Sequence, residues 1–261
     1  MFKVIVILFA FITILGATCE KASAKEVDLK DGVAVFTDIK KIEADITDVP
    51  ITIMESDVEE ITVTSTVENT GIGIVTQPKV REKGNVLHFH QGYMIGYATE
   101  STGVVTIEIP EGMNVDIDIT SGSGDVTIDT SASNNISIDA SVGEKTVTSK
   151  GENLVIESVS GDINIYGGFT NTKIDTVNSD VKMHADADTE KIYYKSVSGD
   201  ADICADGVKG CNLKYKYAGG KADEFFEMEE DSKKTFDVEG DTVDGRINIV
   251  NCDDNCDDFS Q

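Results

Sequence analysis

An all-β chain wound as a parallel β-solenoid of about 18–20-residue coils is the fold this sequence predicts, and three columns of residues predict it. The acidic residues Asp125, Glu144, Asp162, Asp180 and Asp200 recur at intervals of 19, 18, 18 and 20. The apolar-column residues Ile119, Ile138, Ile156, Ile174 and Tyr194 repeat those intervals in the same order. Asn135, Asn153 and Asn171 step by 18 and 18. Columns in register at a fixed period mark stacked units, each of which buries its apolar face only against its neighbours. An antiparallel β-sandwich is the alternative fold.

The chain opens with a leader. Lys3 supplies a positive start, Val4 to Thr18 is an almost unbroken apolar run, and Ala22-Ser23-Ala24 is a small-x-small cleavage pattern. The run is shorter than a bilayer-spanning helix needs, so residues 1–24 read as a cleaved signal peptide and the mature chain as starting at Lys25. The alternative is a lipoprotein anchored at Cys19. Against it, Gly16 and Thr18 stand where a lipobox wants a branched apolar residue and a small one. After cleavage no transmembrane segment is expected.

The 261 residues carry 22 Lys+Arg against 48 Asp+Glu, a net charge of −26. Such a field repels nucleic acid and anionic lipid and suits an extracellular setting. Hydrophobic residues make up 40%, which supports a packed core rather than disorder. Only Pro50, Pro78 and Pro110 interrupt the chain, which favours long regular strand pairing.

Residues 25–110 read as an N-terminal region of short strands. Ile42–Ile46 and Val49–Ile53 are two strands joined by a brief turn, and Ile61–Val67 is β-branched at period two. Val86–His90 and Val104–Ile109 follow in the same style, and Pro110-Glu111-Gly112 closes the region with a turn. The glycine-bearing stretch Gly71–Gly103 is less regular and is where mobile loops are expected. His88 and His90 alternate onto one strand face, but no third metal ligand has the right spacing, so both read as satisfied surface histidines. His184 supports no argument.

Residues 111–250 form the repeat region. Ser158-Val159-Ser160-Gly161-Asp162 separates the inward pair Leu154 and Ile156 from Ile163 and Ile165, so each coil holds two short strands around a small-residue turn. The turn positions are Gly124, Asp125, Gly161, Asp162, Asp180, Gly199 and Asp200; glycine there is free to take a positive φ and aspartate can bind local amides. Stacked Asp125, Asp162, Asp180 and Asp200 are also candidates for a calcium ladder, although a solvated turn aspartate is the simpler reading. Lys145 falls at an inward position, which predicts a bulge or shifted register in that coil. Phe236-Asp237-Val238 and Asp244–Ile249 restore strand–turn–strand as a final coil, after Gly219-Gly220 as a turn and an acidic outward loop at Glu224–Asp231. Residues 251–261 are a short acidic tail.

Four cysteines follow the leader, Cys204, Cys211, Cys252 and Cys256. An even count in an exported chain points to two disulfides, with the short-range pairs Cys204–Cys211 and Cys252–Cys256 as the first expectation. A metal site at Cys252 and Cys256 would mix soft thiolates with hard aspartates, a poor donor set.

Ser-x-Ser-Gly-Asp followed by alternating apolar residues, recurring every 18–20 positions, resembles the bacterial "putative adhesin" family of envelope β-strand-repeat proteins. Lys41–Thr66 resembles that family's opening strands, and Val105–Pro110 the strand and proline before its repeats. The resemblance spans roughly Ile39–Ile249 and implies a secreted or envelope-bound β-solenoid, some members being linked to envelope stress, with no catalytic residues to carry over. The mature cysteines and the acidic end depart from the family pattern.

Two functional classes remain. One is a non-enzymatic surface or envelope module that binds an envelope or extracellular partner, protein or glycan, without a cofactor. The other is a β-helical carbohydrate-active enzyme, which needs two carboxylates at a set separation around a sugar-sized groove. The acidic residues here are spread evenly without an aromatic cluster, and Arg81 and Arg246 are the only arginines. The non-enzymatic reading follows.

Overall fold

The computed structural model describes residues 25–29, 32–206, 211–217, 222–224 and 236–251, all of them strands and turns. The N-terminal region holds β1 (Lys25–Asp28), β2 (Gly32–Phe36), β3 (Lys41–Ile46), β4 (Ile51–Ser56) and β5 (Ile61–Ser65). It continues with β6 (Glu68–Val75), β7 (Lys79–Lys83), β8 (Val86–His90), β9 (Met94–Thr102) and β10 (Val105–Pro110). The repeats begin with β11 (Asp116–Ser121), β12 (Val126–Asp129), β13 (Asn135–Ala140), β14 (Lys145–Thr148) and β15 (Gly151–Ser160). They run on through β16 (Ile163–Tyr166), β17 (Phe169–Asn178), β18 (Val181–Ala185), β19 (Lys191–Ser198) and β20 (Ala201–Ala205). Last come β21 (Cys211–Tyr217), β22 (Ala222–Glu224), β23 (Phe236–Asp244) and β24 (Ile247–Asn251).

Each repeat sends one strand to each of two long sheets. The first runs β1-β7-β8-β3-β11-β13-β15-β17-β19-β23-β21, the second β2-β5-β10-β4-β12-β14-β16-β18-β20-β24-β22. From β3 and β4 onward every neighbour along the stack is parallel, so the fold is the β-solenoid and not the antiparallel sandwich. Alternation within each strand turns one set of side chains inward, and the two inner faces share one apolar core. The column Ile119–Ile138–Ile156–Ile174–Tyr194 pairs residue for residue across five strands. Each such isoleucine is almost wholly buried, worth about 1.5–3 kcal/mol relative to exposure.

The N-terminal strands do not stand apart. β3 and β4 form the first coil, paired with β11 and β12. Antiparallel strands finish that end: β8, β7 and β1 beyond β3, and β10, β5 and β2 beyond β4, with β3–β8 and β4–β10 the last parallel pairs.

Three expectations are corrected. Gly71–Gly103 is not a set of loops: it contains β7, β8, most of β6 and β9, and only short connections. Lys145 causes no bulge, because β14 keeps register with β12 and β16, and Lys145 lies between Val126 and Ile163 with its side chain wholly buried. The coil of β23 and β24 is last in sequence but not in space. It pairs with β19 and β20, while β21 and β22 stack outside it as the terminal layer. Gly219, Gly220 and 225–231 of the acidic loop lie outside the described residues, as does the tail after Asn251.

Candidate functional site

The recurrent turn comes first, because the sequence singles it out. Gly161 and Gly199 adopt φ of +97° and +129°, where a side chain is strained, and a Cβ on either would meet the carbonyl oxygen of the coil below at 2.1 or 2.2 Å. Gly124 does not use the left-handed region; it is required because Val49 O would lie 1.9 Å from its Cβ. Asp125, Asp180 and Asp200 bond between coils rather than within their own turn. Asp125 Oδ1 accepts the Glu144 amide at 2.8 Å, and Asp180 Oδ1 accepts the Asp200 amide at 2.9 Å. Asp200 Oδ1 accepts the Arg246 amide at 2.8 Å, and its other oxygen meets the Arg246 guanidinium at 3.3 Å. These carboxylates therefore join successive coils. Among the described residues no cluster of three or more His, Cys, Asp or Glu side chains has the form of a metal site.

Behind the turn, Lys145 Nζ donates to Ser158 Oγ at 2.5 Å and to Ser160 O at 2.7 Å. Burial pulls its pKa down from 10.5 to about 8, and the charges of Asp125 and Asp162 only partly oppose that fall. The amine ties one coil to the turn of the next.

The outer face of the first sheet carries the densest polar pattern. The Asn column forms a side-chain ladder: Asn135 Nδ2 donates to Asp116 Oδ1 at 3.0 Å, Asn153 to Asn135 at 2.8 Å, and Asn171 to Asn153 at 3.2 Å. Where the row changes to Lys191 the ladder stops, and a shallow groove of about 490 Å³ opens beside Tyr193. Asn153, Val155, Asn171, Lys173, Tyr193 and Glu239 line it. Ion pairs brace its sides, Lys173–Glu157 at 3.0 Å and Lys191–Glu239 at 3.3 Å. Nearby, the Asp175 hydrogen bond raises the Lys195 pKa.

At the N-terminal end of the same face lies a second groove, of about 380 Å³, containing both histidines of β8. His88 Nδ1 is 2.7 Å from Glu43 Oε2, and His90 Nε2 is 3.4 Å from Asp45 Oδ2. His90 Nδ1 accepts the Gly92 amide at 2.7 Å. Lys41 bridges Glu43 at 2.8 Å and Asp118 at 3.2 Å; the Glu43 bond raises the Lys41 pKa, and Lys41 lowers that of Glu43. Both histidines are thus satisfied by partners in the sheet. Their carboxylate partners lie in β3, more than 40 positions away in sequence, where no spacing argument reaches them.

The outer face of the second sheet is different. Thr64, Thr106, Thr52, Thr127 and Thr146 stand in one row across five strands. Cys204 lies on this outer side at 1% exposure, between the inward Ile203 and Ala205, and is disulfide-bonded. Cys211 belongs to the core and sits in the other sheet. The expected Cys204–Cys211 pair is therefore overturned, because the two side chains face opposite sides of different sheets. Cys252 and Cys256 lie outside the described residues.

The model of the Toastrack family DUF4097 matches residues 39–168 and 145–257. A "putative cell adhesion protein" from Clostridium sporogenes is 12% identical, with a TM-score of 0.35, covering 88% of this chain and 100% of that one. A "putative adhesin" from Bacteroides fragilis is 13% identical at a TM-score of 0.41, covering 88% and 98%. Another from Parabacteroides distasonis is 12% identical at 0.45, covering 87% and 96%. No curated protein matches the chain.

Proposed function

Since the chain belongs to the Toastrack family DUF4097, we propose that it works as a non-enzymatic, exported β-solenoid that binds an envelope or extracellular partner along its outer faces. The observation that carries this is the outer face of the first sheet. Its polar side chains are aligned strand by strand and held by mutual hydrogen bonds and ion pairs. A surface fixed in this way loses little side-chain entropy when a partner docks. The groove at Tyr193 offers one aromatic ring beside carboxamide, ammonium and carboxylate groups, a mixture able to meet a glycan or a polar protein surface.

Export rests on the apolar leader with cleavage after Ala24, and the relatives named as adhesins are consistent with a surface or envelope location. The disulfide at Cys204 is what an oxidising compartment allows. Peptide mapping without reduction identifies the partner; an exported chain with a free Cys204 thiol contradicts this assignment.

The function is tested by incubating labelled protein with isolated cell-envelope material, immobilised glycans and extracellular-matrix proteins. Saturable binding that falls at least about tenfold in a Tyr193→Ser, Lys173→Glu variant supports the proposal. Glycan turnover abolished by one carboxylate substitution would instead establish an enzyme.

A further inference from the structure

Among the described residues the three most exposed large apolar side chains, Tyr97, Ile72 and Ile95, lie together on a two-stranded arch made by β6 and β9. Asn69 Nδ2 donates to Thr76 O at 2.9 Å, so residues 70–75 leave the body and return to within one side chain's reach. The partner strand does the same, for Gln91 Nε2 donates to Ser101 Oγ at 2.9 Å across residues 92–100. Ser101 Oγ donates in turn to Asn69 Oδ1 at 2.8 Å, which closes one clasp around both strands. Gln91, wholly buried, pins the clasp to the first coil through the Thr47 and Asp48 amides at 2.6 and 3.1 Å.

Beyond the clasp Ile72 stands opposite Tyr97, and Ile74 opposite Ile95. Alternation puts these four on one side of the ribbon, where they are 72, 82, 63 and 66% exposed. Gly73 and Gly96 occupy the positions between them. A Cβ there would lie 2.2 Å from Ile95 O or 1.9 Å from Ile72 O, so the bare backbones close together as the ribbon bends. A contiguous apolar tip on a braced projection is the form of an interaction site.

Two features say what covers it. Asp, Glu, Lys and Arg are 27% of the chain, yet none occurs in residues 69–78 or 91–99, so the outer part of the arch is uncharged and its only acidic residues, Glu68 and Glu100, stand at its base beside Thr102 and Thr70. The arch also lies at the end of the stack where the chain begins: β1 pairs with β7, the first strand after the arch. Until it is cleaved, the apolar leader of residues 1–24 keeps that end of the chain beside a bilayer. A second copy is the poorer fit, since two tips face to face would bury on the order of 800 Å², below the ~1,200 Å² of stable interfaces.

We propose that this arch is a membrane-contact element that seats Ile72, Ile74, Ile95 and Tyr97 at the boundary between headgroups and acyl chains of an electrically neutral bilayer. The outer edges of a two-stranded ribbon keep unpaired backbone groups, so insertion stops where water still reaches them. Tyrosine at that depth keeps its hydroxyl in the headgroups. The presence of a bilayer in the cell rests on the export reading; the test below does not.

The chain has no tryptophan, so Tyr97→Trp makes the arch the only indole emitter. The protein from residue 25 onward, which contains every described strand, is mixed with phosphatidylcholine vesicles. The expected result is a blue-shifted emission, quenched by brominated acyl chains and insensitive to salt. Adding Ile72→Ser and Ile95→Ser should weaken vesicle binding at least about tenfold without changing the melting temperature. An unshifted emission overturns the proposal, as does equal binding by the serine variant. A blue shift that appears on concentrating the protein without lipid assigns the arch to self-association and also overturns it. Failure to find the protein exported would remove the functional reading while leaving these vesicle results standing.

Discussion

Replacing Lys145 by methionine should change how stability depends on pH. The side chain is wholly buried and its pKa is lowered to about 8 from 10.5, chiefly by burial. Because the folded value lies below the unfolded one, the unfolded chain binds more protons between about pH 8 and 10.5. Wild-type stability therefore gains from this group as pH rises through that window. Below pH 8 the lysine is charged in both states and its full cost, about 3 kcal/mol, is present. Methionine fills the column between Val126 and Ile163 without a charge, and Ser158 Oγ keeps its contact to Ser160 O at 3.3 Å. The assay is urea unfolding of both proteins at several values from pH 7 to 10.5, read as the difference in unfolding free energy so that shared groups cancel. The variant should be more stable at pH 7 by about 2–3 kcal/mol, and the advantage should shrink towards zero by pH 10.5. A pH-independent difference, or one that grows with pH, refutes the reasoning.

Further substitutions test the turns, the joints between coils and one buried hydroxyl. Gly161→Ala should cost at least about 2 kcal/mol in denaturant unfolding, since a Cβ would strike Gly143 O, while Gly112→Ala, at φ +68° with nothing nearby, should cost only about 1 kcal/mol. Asp180→Ala should destabilise by about 1–2 kcal/mol by removing the acceptor for the Asp200 amide, and Asp180→Asn by much less. A rise in melting temperature with millimolar calcium, lost in Asp180→Asn, would reassign that turn as a cation site. Thr172→Val should stabilise by about 1 kcal/mol, because Thr172 Oγ1 is buried without a hydrogen-bond partner; calorimetry of the two proteins checks it.

The stacking was legible because a solenoid writes its contacts into a fixed period. Ile138, Ile156 and Ile174 are neighbours in space for the reason that they are 18 apart in sequence. The same property hid the exceptions. β23 and β24 carry normal repeat residues, and nothing local to them records that β21 and β22 stack outside them. An inward lysine breaks the apolar pattern of a single coil, and the partners that accommodate it, Ser158 and Ser160, belong to the next coil's turn. Glycines at 71, 73 and 96 look like loop residues in a string of letters, whereas here they let two paired strands bend sharply. Glu43 and Asp45 meet His88 and His90 through the parallel pairing of β3 with β8. No motif marks that pairing.

The measurement that bears most directly on the stacked-coil account is a pair of deletions. Removing residues 153–170 joins Glu152 to Asn171 and replaces β15 and β16 by β17 and β18 in the same register, so Asn135 meets Asn171 and Ile138 meets Ile174. Even Lys145 keeps a hydroxyl, since Thr176 takes the place of Ser158. Removing only residues 153–161 brings β16 to where β15 belongs and sets apolar columns against turns. The longer deletion should keep a cooperative thermal transition and a β-type circular dichroism spectrum at the cost of one coil's interfaces, while the shorter should lose both. Equal damage from the two deletions would contradict the stacked-coil account.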